Sequence, residues 1–154
     1  MANELSTIGI RLKYAVETTA GTKPSTFATE IPDIISIGEI ALTPDKLEVT
    51  NLVDTVKRYI DGVQDAGDSV EIGANFVKGT GRFATVWQAL KTASDTAEAS
   101  GKATWFEISV PSFGAFYFSG TPSDLPFVGA EVNNVFQGNV SITLNGVSGW
   151  TLEE

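Results

Sequence analysis

Four acids, Asp61, Asp65, Asp68 and Glu71, stand three and four residues apart inside "VDTVKRYIDGVQDAGDSVE", residues 53–71. Clustered carboxylate oxygens suit a hard cation such as calcium. A calcium loop of the helix-loop-helix type places its ligands at the first, third, fifth and twelfth positions around a glycine at the sixth. The spacing here does not match, and Glu71 falls in a strand-like alternation. Solvated acids are the better reading. "GTGR" at 79–82 precedes a helical pattern and resembles an anion-binding helix start. It lacks both the lysine of GxxxxGK[ST] and the full GxGxxG spacing, so a turn with Thr80 as N-cap is expected. Two facing carboxylates could cleave a glycoside, but no acid pair stands out.

The chain holds no histidine and no cysteine. Histidine is the side chain best suited to exchange protons near neutral pH and the commonest metal ligand. Without cysteine there are no disulfides, thiolate metal sites or thiol nucleophiles, which suits assembly in a reducing cytoplasm. Most hydrolase and metalloenzyme designs are closed to such a sequence, so neither enzyme activity nor a cofactor is expected. The net charge is −9, and no Lys or Arg follows Lys102. A nucleic-acid binder needs basic side chains to neutralise phosphates. This chain would tend to repel DNA.

The length, 154 residues, fits one domain, 1–154, with a core of its own. "MANELSTIG" has neither a basic nor an apolar leader region, so nothing marks secretion. No apolar run approaches the roughly 20 residues of a membrane-spanning helix.

Most of the chain alternates with period two, the mark of half-buried strands. Ile8, Ile10, Leu12 and Tyr14 share one face; Val70, Ile72, Ala74 and Phe76 share another; Phe106, Ile108 and Val110, then Val140, Ile142 and Leu144, repeat the pattern. The period changes once. Phe83, Val86, Trp87 and Leu90 recur at helical spacing, with Gly101 as a stop, which predicts one amphipathic helix over about 81–99. One helix among about seven strands excludes alternating βαβ units. The fold class is therefore mainly β: an antiparallel β-sandwich or open barrel with one flanking helix.

The ordered segments "IGIRLKYAVETTAGTKPSTFATEIPDIISIGEI", "GKATWFEISVP" and "FYFSGTPSDLPFVGAEVNNVFQGNVSITLNG" resemble the tail tube (major tail) proteins of long-tailed, non-contractile bacteriophages and prophages. Nearly the whole chain takes part, without a catalytic signature. The resemblance implies a β-sandwich with a flanking helix, assembled as stacked six-subunit rings. One sheet of each subunit would join its neighbours around a hollow channel that conducts DNA into the host without binding it specifically. It also implies a tape-measure protein, tail-tip and tail-terminator proteins as partners, assembly in the bacterial cytoplasm, residence in the virion and no membrane. Contractile tails use the same fold. Some members add a C-terminal immunoglobulin-like domain, for which residues 1–154 are expected to leave no room.

In that frame residues 51–68 are expected to form a long loop between two inner-sheet strands that reaches the next ring. Asp54, Lys57, Arg58, Asp61, Asp65 and Asp68 supply its charges, and Tyr59 with Ile60 its apolar anchor. The outward positions Glu48, Glu71, Asn75, Ser141 and Thr143 are candidates for the channel wall. Trp150, in a presumed C-terminal tail at about 146–154, is a candidate partner anchor. The competing reading is a monomeric β-sandwich binding module of carbohydrate or adhesin type. It would need a cluster of exposed aromatics, and the sequence marks none beyond core-like positions.

Overall fold

The computed structural model describes residues 9–41, 43–65, 69–127 and 136–152, and for 43–45 and 62–65 the backbone alone. Nine strands and one helix follow in the order β1 (Arg11–Val16), β2 (Thr29–Ile31), β3 (Ile34–Ile37), β4 (Thr43–Glu48), β5 (Tyr59–Asp65), β6 (Ser69–Asn75), α1 (Phe83–Ala99), β7 (Thr104–Val110), β8 (Gly114–Pro122) and β9 (Gln137–Leu152). Seven strands form one antiparallel sheet in the order β2-β1-β7-β8-β9-β6-β3, while β4 and β5 pair only with each other. The fold is mainly β, with one curled seven-stranded sheet, a separate two-stranded hairpin and one flanking helix among the described residues, which is the open-barrel form of the expected class.

The curl of the sheet follows from its connectivity. β2 and β3 stand at opposite edges, yet only Pro32 and Asp33 join them. Six inter-strand steps would separate the edges of a flat sheet by about 29 Å. Three virtual bonds from Ile31 to Ile34 span at most about 11 Å. The two edges must therefore meet at this corner, and the sheet curls to bring them there. Asp33 makes the turn with φ 61°, a left-handed conformation that Asp tolerates better than most residues.

Leu12, Val70, Ile72, Phe106, Phe118, Val140 and Ile142 line the inside of the curl and are almost wholly buried. They come from alternate positions of their strands, as the period-two pattern requires. The helix covers them with Phe83, Trp87, Leu90, Ser94 and Ala97, all on one stripe. Trp87 is completely enclosed, and its indole N–H donates to the Ser123 carbonyl at 2.8 Å, so its polar atom is satisfied. Phe83 stacks on Trp87 and on Phe76, with ring centroids 5.6 and 5.5 Å apart. Each fully buried side chain of this size contributes roughly 1.5–3 kcal/mol.

The helix begins differently from the sequence expectation. Arg82, not Thr80, occupies the N-cap, and its own side chain caps nothing. The free Phe83 N–H is instead bonded to the Asp33 carboxylate at 3.1 Å, supplied from the far corner of the sheet. At the other end Gly101, with φ 73°, ends the helix as its position predicts, and the Lys102 N–H returns to the Ala97 carbonyl at 2.8 Å. Glu17 closes β1 against β7. Its buried carboxylate accepts the Ala103 N–H at 2.6 Å and the Trp105 indole N–H at 3.3 Å. Burial alone would raise its pKa, but these donors, with the Gly21 N–H, outweigh it and hold the carboxyl below its ordinary value.

Candidate functional site

Within the segment expected as one long loop, 51–68, the described residues 51–65 are a turn followed by β5. β4 and β5 form an antiparallel ladder from Thr43↔Asp65 to Glu48↔Tyr59, and the Val49 N–H extends it to the Arg58 carbonyl at 2.9 Å. Tyr59, Ile60 and Asp61 are all exposed, as are Lys46 to Val49 opposite them, so neither face of this described part of the ribbon is buried. Period-two alternation records burial of one face. A ribbon wet on both faces leaves no such record, which is why β5 escaped the sequence pattern.

Its charged residues bind one another. Asp54 bonds Arg58 through Oδ2 and Nε at 3.0 Å and accepts the Asn51 N–H at 2.7 Å. The Arg58 N–H donates to the Thr50 hydroxyl at 2.9 Å, and Lys46 pairs with Asp61 across the ladder. The Lys57 side chain is exposed. Asp68 and the side chain of Asp65 lie outside the described residues. Tyr59 and Ile60, the expected anchor, stand at the start of β5 opposite Glu48 and Leu47. The most exposed apolar side chains of this segment are instead at the turn: Leu52, Val53 and Val56, at 107%, 88% and 73% of full exposure. β4 and β5 pack on each other and on no helix or other strand to a comparable extent. Among the described residues the hairpin packs mainly on itself, and it carries exposed apolar residues at its end.

Four of the five wall candidates come together. Glu71 sits directly opposite Ser141 across β6 and β9, Thr143 opposite Ser69, and Asn75 opposite Gln137. All project from the face away from Val70, Ile72, Val140 and Ile142, which makes that face a polar stripe. Glu48 is not among them. It lies on the separate β4–β5 hairpin.

Trp150 is part of a strand, not of a tail. β9 runs through to Leu152 and pairs with β8 from Ile142 onward, with register shifts at Tyr117/Phe118 and Ser119/Gly120. Those bulges break the period, and the strand's last residues are exposed, so no strand pattern is visible there. Residues 153–154 of the expected tail lie outside the described residues. Trp150 is half exposed and packs edge-on against Phe113 (centroids 4.8 Å, 85° between planes) and Phe116 (5.3 Å, 67°). The fold thus assembles an exposed aromatic group that the sequence did not mark, because its members lie far apart in the chain. Beside it Ile10, Ile37, Gly38, Ile40 and Ile108 join Phe116 and Trp150 around a groove of about 230 Å³. Its walls are apolar.

No protein-family model matches the chain. No curated protein matches it either. Solved structures do. A chain from the virion of a native gene transfer agent particle superimposes with a TM-score of 0.55 at 12% identity, over 94% of this chain and 95% of that one. A chain from the tail of an empty gene transfer agent particle, with C6 symmetry, gives 0.58 at 13% identity over 94% and 96%. One from the six-fold symmetrised anti-feeding prophage baseplate gives 0.56 at 8% identity over 97% of each. The chain shares its fold with chains of tail and baseplate assemblies. At these identities the likeness is one of architecture, spanning nearly the whole of each chain.

Proposed function

We propose that the chain is a structural subunit that assembles with copies of itself into six-membered rings, stacked as the hollow tube of a phage-type tail. The observation that carries this reading is the full-length fold match to chains of six-fold tail and baseplate assemblies. Three features support it. The sheet ends in two edge strands, β2 and β3, whose free edges could pair with another copy. The hairpin carries an exposed apolar end that a monomer has no use for. The stripe of Glu71, Asn75, Ser141 and Thr143 is acidic and polar, which suits a wall that passes DNA without holding it.

In this reading the chain is not an enzyme and takes no cofactor. It resides in the virion, is assembled in the bacterial cytoplasm, and meets tape-measure, tail-tip and tail-terminator proteins. Its long-tailed, non-contractile character rests on the sequence resemblance. A binding module for carbohydrate fits less well. Phe113 and Trp150 stand nearly perpendicular, so they offer no single flat surface for a sugar ring, and the adjoining groove is apolar. Sedimentation velocity over a concentration series tests the proposal. Species of six subunits and larger should grow in with concentration or on addition of a tail-tip initiator; a monomer throughout would overturn it.

A further inference from the structure

We propose that the hairpin end of one copy, Leu52, Val53 and Val56, seats in the apolar groove of Ile10, Ile37, Ile40, Ile108, Phe116 and Trp150 on a second copy. The inference rests on the self-assembly reading above and names the seat that the hairpin engages. Among the described residues each half of the contact lacks a partner within its own molecule. The three turn residues are nearly or fully exposed, and the groove is open, half-walled by an exposed indole. A 230 Å³ recess is large enough for such side chains, since an apolar cavity of about 150 Å³ already accommodates benzene.

The hairpin cannot fill its own groove. Ile37, Gly38 and Ile40 lie just before β4, at the hairpin's base. The ladder from Thr43 to Val49 holds the turn about 20 Å from that base, at roughly 3.3 Å per residue. The hairpin that we assign to the groove is therefore that of a second chain. Charge agrees with this assignment. The turn carries Lys57 and Arg58 against the single acid Asp54, a surplus of one positive charge on a chain whose total is −9. Exposed Glu39 stands at the groove between Gly38 and Ile40. Lys57 meeting Glu39 at the rim would orient the contact, as rim charges do. Knob and groove are different patches of one surface, so the contact is head-to-tail, and in the tube reading it takes the open form that repeats from ring to ring. That is the geometry of stacking.

The absence of native cysteine makes the test clean. Val53→Cys and Ile40→Cys proteins are mixed at assembling concentration and oxidised. The expected product is a disulfide dimer absent from either protein alone, because a disulfide needs Cα atoms within about 7 Å. A second measurement covers variants that fail to fold or assemble. Lys57→Glu and Glu39→Lys alter only exposed side chains; each should raise the concentration needed for assembly by about tenfold, and the double swap should restore it. Assembly of the unmodified protein with neither the dimer nor the rescue would overturn the seat while leaving the tube reading in place. A protein that never assembles would overturn both.

Discussion

Asp33 grips Arg82 with both carboxylate oxygens, Oδ1 at 2.8 Å from Nη2 and Oδ2 at 3.0 Å from Nε, across 49 residues of sequence. Oδ2 also accepts the Phe83 N–H, and the Asp33 carbonyl accepts the Asn75 N–H at 3.0 Å. One residue thus ties the corner where the sheet edges meet, the end of β6 and the start of α1. Asp33→Ala should lower stability by about 1–3 kcal/mol, from the lost cap and the unpaired donors. Urea unfolding of the two proteins measures it; equal midpoints would remove the clasp from the account.

The same contact should titrate. The Arg82 hydrogen bond, and after it the Phe83 N–H, hold the Asp33 carboxyl below its ordinary value despite partial burial. A carboxylate depressed in the folded state stabilises it above the unfolded pKa, near 3.8, and loses that contribution as pH falls through the folded value. The stability gap between wild type and Asp33→Asn should be level above about pH 5 and narrow steadily below about pH 4. A gap that widens on acidification would contradict the assignment.

Gly120 marks a close approach of β8 to β9. A Cβ there would meet the Thr143 carbonyl oxygen at 2.5 Å and the Ile142 side chain at 2.6 Å. Gly120→Ala should cost about 1–3 kcal/mol through overpacking. Ser148→Ala, on an exposed part of β9, should change stability by less than about 0.5 kcal/mol. Thermal melts of both variants separate the two cases.

Much of the fold was legible in the sequence because burial wrote it there. α1 was marked by Phe83, Trp87 and Leu90 at helical spacing, and β6 by Val70, Ile72 and Ala74 alternating against polar neighbours. What escaped lies where burial writes nothing. The start of β5, Tyr59 to Asp61, is wet on both faces, and the end of β9 carries two bulges beside a half-exposed Trp150. The Asp33 cap joins residues far apart in sequence, so Thr80, the nearer candidate, drew the expectation. The groove assembles Ile10, Ile37, Ile108, Phe116 and Trp150 from five parts of the chain, a grouping that no local pattern announces.

Separating Glu71 from Glu48 divides the wall expectation in two. Glu71→Lys adds a positive charge to the polar stripe beside Ser141, whereas Glu48→Lys changes only the hairpin. If the stripe faces the channel, Glu71→Lys particles should assemble normally and deliver DNA more slowly, because a cation on the wall attracts phosphate. Glu48→Lys should leave delivery unchanged once assembled. Equal delivery by both would take the stripe off the channel wall.

Shortening the hairpin isolates its role. Replacing residues 50–57 by Asn-Gly, the pair favoured in a two-residue turn, removes Leu52, Val53 and Val56 and leaves the ladder intact. The body, which the hairpin scarcely touches, should melt within a few degrees of wild type. The shortened protein should remain monomeric where the full chain assembles. Light scattering reads the difference, and tubes formed by the shortened chain would dismiss the hairpin from stacking.

Negative-stain electron microscopy of the concentrated protein, alone and with a tail-tip initiator, tests the central claim most directly. Six-fold rings with a central hole, stacking into tubes, are the expected result. Uniform monomers under both conditions, with no rings and no tubes, would contradict it.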